Sequence, residues 1–142
     1  MSLLSQLTTD ERQVTPHLQD EVPPDTTDFE VAWEVPRDGT VEGVRVWAVP
    51  GSEDALEIRP VVRRDQGPDR AEDLPLPTYG DGEQFITGEP DGDPYHTSQP
   101  VEQGDHIVVK TTNTSADYAY RFRVLPYVDY AGGLSRYLGG VM

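Results

Sequence analysis

Phe29-Glu30-Val31-Ala32-Trp33-Glu34-Val35-Pro36-Arg37-Asp38-Gly39-Thr40-Val41-Glu42-Gly43-Val44-Arg45-Val46-Trp47-Ala48 is the stretch whose reading sets the fold class. Phe29, Val31, Trp33 and Val35 alternate with Glu30, Ala32, Glu34 and Pro36, the period-two pattern of a strand buried on one face. Arg37-Asp38-Gly39-Thr40 follows, and Asp-Gly suits the two central positions of a type I′ turn. With Arg37 opposite Thr40, Val31 faces Val46, Trp33 faces Val44 and Phe29 faces Ala48, all on one side. On the other side Glu30 opposes Trp47, and Arg45 lies diagonal to Glu30 and Glu34. A tight hairpin satisfies the turn and both faces in one register, and is expected here.

Further strands follow downstream. Leu56, Ile58 and Val61-Val62 indicate a third strand, which Pro60 marks as an edge or a bulge. Glu83 to Thr87 reads as a short strand between loops. His106 to Thr112 and Asp117 to Leu125 form a second alternating pair, with Tyr118, Tyr120, Phe122 and Val124 on one face. A short loop closing on Asn113 and Tyr118 sets Val109 against Phe122 and Ile107 against Val124. Five or six such strands imply an all-β fold: a small antiparallel β-sandwich, jelly-roll or Ig-like, over residues 29–126. Residues 1–28, with Pro16, Pro23 and Pro24, read as an extended N-terminal arm. Residues 127–142, with Gly132-Gly133 and Gly139-Gly140, read as a Gly-rich docking tail.

Composition narrows the function. The 142 residues hold 26 acids against 11 bases, a formal net charge of -15. Phosphate binding needs clustered Lys and Arg, so nucleic acid is not an expected partner. No apolar run reaches the length of a membrane span, and Met1 to Asp10 lacks the pattern of a secretory signal. No membrane partner is expected. The absence of Cys excludes disulfides, thiolate nucleophiles and thiolate metal sites. Ten of the eleven bases are Arg, and Asp outnumbers Glu by 15 to 11. This Asp-rich, Lys-poor balance resembles that of proteins from salt-loving archaea. At molar salt the Debye length falls to about 3 Å, which relieves the self-repulsion of such a chain.

Catalytic patterns are lacking. There is no G-x-S-x-G, H-E-x-x-H, phosphate-binding or dinucleotide-binding signature. His17, His96 and His106 are scattered, and no enzyme activity or cofactor is expected. The acidic loop 81–93 offers carboxylates to a hard cation, but its spacing does not fit an EF-hand. Asn113-Thr114-Ser115 fits the N-glycosylation acceptor pattern on an expected exposed loop. Gly104-Asp105-His106 followed by Ile107-Val108-Val109 resembles a cupredoxin strand. A copper site is excluded because Cys is absent and both Met are terminal.

The remaining signals concern contact. Tyr and Arg are enriched where proteins meet. Tyr127, Tyr130 and Tyr137 crowd the end of the chain, beside Leu134 and Leu138, while Leu3, Leu4 and Leu7 stand at the start of the arm. These eight are the expected interface residues. Trp47, on the outward face of the first hairpin, is the expected contact for a host surface glycan. An acidic sandwich with an arm, an apolar tail and no catalytic motif resembles the minor capsid, turret or decoration proteins of tailed viruses infecting haloarchaea. The resemblance implies a virion location, a symmetric assembly, and copies of itself and other virion proteins as partners. A carbohydrate-binding or host-attachment module is the alternative.

Overall fold

The computed structural model describes residues 17–52, 54–64, 73–76, 86 and 92–130. Among them run eight strands: β1 (Leu18–Val22), β2 (Thr26–Glu34), β3 (Gly39–Ala48), β4 (Leu56–Arg63), β5 (Asp73–Pro75), β6 (Asp93–Val101), β7 (His106–Asn113) and β8 (Tyr120–Tyr130). They form two four-stranded sheets, β1-β8-β3-β6 and β2-β7-β4-β5, with every pairing antiparallel. The pairs nest: β1 with β8, β2 with β7, β3 with β6, β4 with β5. The chain is therefore one long ribbon folded back at β4–β5. It is rolled so that β3 also meets β8 and β4 also meets β7. This is the jelly-roll arrangement of a β-sandwich.

The core lies between the sheets. Val44, Val46 and Val124 of the first sheet and Ile58, Val62, Ile107 and Val109 of the second are almost wholly buried there. Each comes from one face of its strand, as period two requires. Val35 closes one end: its N–H donates to Asp105 O, and its carbonyl accepts from Gly104 N.

Both expected hairpins are corrected. β2 and β3 lie in different sheets, so Val31 pairs with Val109 rather than Val46, and Trp33 with Ile107 rather than Val44. Val46 pairs instead with Val124. A type I′ turn needs positive φ at both central residues, and neither Asp38 nor Gly39 has it. The segment Val35–Asp38 carries the chain across the sandwich. Gly39 serves close approach instead: a Cβ there would lie 2.6 Å from the Asp129 carbonyl oxygen. β7 and β8 likewise separate, Val109 pairing with Val31 and Pro60, and Phe122 with Asp20 and Ala48. Alternation reports which face is buried but not which strand lies alongside.

The expected arm and tail boundaries also move. Leu18 and Val22 are buried, and β1 falls inside the stretch read as an arm. With exposed Asp20 between them and prolines on both sides, their periodicity is faint. At the other end β8 runs on through Pro126 to Tyr130. Pro60 stands in an internal strand, whose outer neighbour β5 covers only Val61–Arg63. Of the strand expected over 83–87, Ile86 alone is described, bridging Ile58.

Candidate functional site

The two outer faces differ in how their charges are satisfied. On the β2-β7-β4-β5 sheet, Arg63 Nη1 and Nη2 donate to Glu30 Oε1 and Oε2 at 3.0 and 2.9 Å. Arg63 Nε also donates to Asp73 Oδ1 at 2.9 Å, and Lys110, the only Lys in the chain, reaches Asp73 Oδ2 at 3.1 Å. Arg59 pairs with Asp28 at 3.0 Å. The Arg63 guanidinium holds the Glu30 and Asp73 carboxyls below their ordinary range, with Lys110 adding to the effect, and they in turn raise Arg63. In register, Glu30 stands opposite Lys110 while Arg63 stands opposite His106. Arg63 therefore crosses β7 diagonally over Val108, which is fully buried although it faces away from the core cluster. Arg64 pairs with the buried Asp105 at 3.4 Å. Arg59, Arg63 and Arg64 are thus each engaged by an ion pair within the chain.

The outer face of the β1-β8-β3-β6 sheet is different. Arg123 Cζ lies 4.1 Å above the centre of the Trp47 ring, a cation–π contact between residues that pair across β3 and β8. The His17 ring lies 6.0 Å from the same indole. Gly92, at φ +83°, leaves room for it, since a Cβ there would run into the indole nitrogen. Arg123 makes no ion pair among the described residues. Arg121, two residues along on the same face, meets Glu21 only at 3.9 Å, with its side chain 75% exposed. Gln19, Trp47, Val49, Pro50, Arg121 and Arg123 line an open groove of about 330 Å³.

A second groove, of about 240 Å³, lies at the other end of the same two strands. Asp38, Glu102 and Asp129 line it with Thr40 and Tyr130. Asp38 Oδ1 accepts from Gln103 N at 2.8 Å, and the Arg37 guanidinium stacks 4.9 Å above the Tyr130 ring. Between the grooves, Tyr127 is 46% exposed and Leu125 half-buried on the outer face.

The expected contact residues separate accordingly. Trp47 stands in the Arg groove, half-buried, with one ring face taken by Arg123. Tyr127 is exposed, while Tyr130 is buried against its own sandwich. Tyr118, expected on one face with Phe122 and Val124, is 64% exposed while those two are buried. Leu3, Leu4, Leu7, Leu134, Tyr137 and Leu138 lie outside the described residues, as does most of loop 81–93. No three His, Cys, Asp or Glu among the described residues could hold a metal ion.

Asn113 is not the exposed acceptor that its tripeptide implied. It is buried, and its amide donates to the carbonyls of Val22, Pro23 and Tyr118 at 3.1, 3.1 and 2.8 Å. Its Oδ1 accepts from Ser115 N at 3.0 Å. It ties the start of the β1–β2 turn to the β7–β8 crossing, and the nitrogen that would carry a glycan is fully engaged.

A scan against protein-family models finds no match for this chain, and a search of curated proteins finds none either.

Proposed function

We propose that the chain is a structural subunit of a virus particle: a capsid-associated protein of turret, decoration or minor-capsid type, working among copies of itself and other virion proteins. The observation that carries this reading is the pairing of the first and last described strands. β1 runs antiparallel to β8 with Leu18 opposite Val124, so the chain enters β1 and leaves β8 toward the same end of the sandwich. Attachments made at both ends would then reach one neighbouring surface and leave the opposite end projecting. Jelly rolls recur in viral capsids, though a fold alone does not assign a function. The acidic, Lys-poor composition supports a particle that works in high salt, as a haloarchaeal virus would.

The test is a density gradient of particles from the source culture in molar salt, with peptide mass spectrometry on each fraction. Co-migration with intact particles at a fixed ratio to the main shell protein is expected. Absence from the particle fractions would overturn the reading. A second reading, a host-glycan module, draws on Trp47 in the open groove and on the jelly rolls of lectins. It predicts glycan binding that Trp47→Ala abolishes.

A further inference from the structure

We propose that the outer face of the β1-β8-β3-β6 sheet is a self-docking surface, on which a second copy packs antiparallel about a two-fold axis. This deepens the particle reading by naming the contact between copies.

The argument is charge complementarity along one strand. Outward-facing residues of β8 run Arg121, Arg123, Leu125, Tyr127, Asp129: two cations, an apolar centre, then an anion. At about 3.4 Å per residue the ends stand roughly 27 Å apart. The neighbouring elements reinforce the polarity. The Arg123 guanidinium lies over the Trp47 ring at the first end, and Asp38 and Glu102 join Asp129 at the second. Charges of opposite sign temper each end: Glu21 lies near Arg121, and Arg37 lies over Tyr130. The Arg45 Nε donates aside to the Gly92 carbonyl at 3.3 Å, leaving Leu125 and Tyr127 at the centre.

Two copies laid parallel would set Arg against Arg. Laid antiparallel, each Arg groove covers the other copy's acidic groove, so one contact forms twice and the exposed Tyr127 rings meet near the axis. A closed two-fold contact is of this kind, a patch complementary to itself. Trp, Tyr and Arg are also the residue types that carry binding energy at interfaces. In molar salt only charges in direct contact still attract, and guanidinium–carboxylate forks meet that condition. The opposite outer face offers no such surface, because Arg59, Arg63 and Lys110 are already paired within the chain.

Sedimentation velocity on the full chain in molar salt tests the contact. A dimer is expected. Arg121→Glu with Arg123→Glu, and separately Glu102→Arg with Asp129→Arg, should each sediment as monomers. Mixing the two variants should restore dimers, because each then finds its opposite. Circular dichroism and melting curves check that both variants fold; Arg123→Gln and Asp129→Asn replace them if not. A monomeric wild type, a larger ring, an assembly indifferent to both reversals, or no dimer on mixing would each overturn the proposal. This readout is separate from the particle gradient, so either reading can fail without the other.

Discussion

Arg63 of β4 and Glu30 of β2 meet across an intervening strand, joined by two parallel N–H···O bonds of 3.0 and 2.9 Å over the buried Val108. The same guanidinium holds Asp73 of β5, so one side chain ties three strands and spans all four of its sheet. Charge-assisted forks of this kind are stronger than neutral hydrogen bonds, although partial exposure dilutes them here.

Arg63→Ala should destabilise the fold by about 1–2 kcal/mol, combining the lost fork with uncovered apolar surface. Thermal melting should fall by several degrees. An unchanged melting temperature would mean that solvent screening cancels the network.

Acid should weaken the protein through the same residues. Glu30 and Asp73 sit below their ordinary values of 4.5 and 3.8, chiefly because Arg63 hydrogen-bonds their charged forms. A depressed carboxyl contributes stability that is complete above its unfolded-state pKa and is lost as pH falls through its folded-state pKa. Denaturant titrations should therefore hold steady from neutral pH down to the ordinary carboxyl range and decline below it. Arg63→Ala should flatten that decline.

Asn113→Ala should cost about 2–4 kcal/mol, since it strands buried carbonyls from two separate crossings. Asn113→Asp should be no better, because a carboxylate donates nothing to those carbonyls. Peptide mass spectrometry of the folded protein should find Asn113 unmodified.

Gly39→Ala should destabilise by about 1–3 kcal/mol, because the added methyl meets the Asp129 backbone 2.6 Å away and β3 must shift. Gly43→Ala, whose Cβ would meet Tyr95 O at 2.8 Å, should behave alike. Chemical denaturation of both variants checks this.

Lowering the salt toward 0.1 M, where the Debye length grows to about 10 Å, should lower the melting temperature, because a net charge of -15 then repels itself over the whole molecule. A melting temperature that is flat from low to molar salt would remove the halophilic argument.

The alternating faces of β2, β3 and β7 were legible because period two is a local property of the backbone. Trp33, Val46 and Val109 pack on or within the core as the alternation requires. The partners were not legible. An apolar face of a jelly-roll strand is satisfied by any strand of the same period, and Asp38-Gly39 matched a hairpin turn that the backbone does not form. The cationic half of the candidate site is local in sequence, since Arg121 and Arg123 stand two residues apart on one face of β8. Its acidic counterpart was hidden because Asp38, Glu102 and Asp129 come from three distant segments.

The sequence by itself determined an all-β sandwich, a surplus of carboxylates and the absence of thiol chemistry, since composition and alternation need no partner to be read. Tertiary structure alone decided which strands lie together. It turned Asn113 from an apparent surface acceptor into a buried tie, and it separated a self-paired outer face from one where Arg123 lies on Trp47 with no carboxylate partner among the described residues. Those outcomes depend on contacts between residues far apart in the chain, and only closure of the rolled ribbon brings such residues within reach of one another.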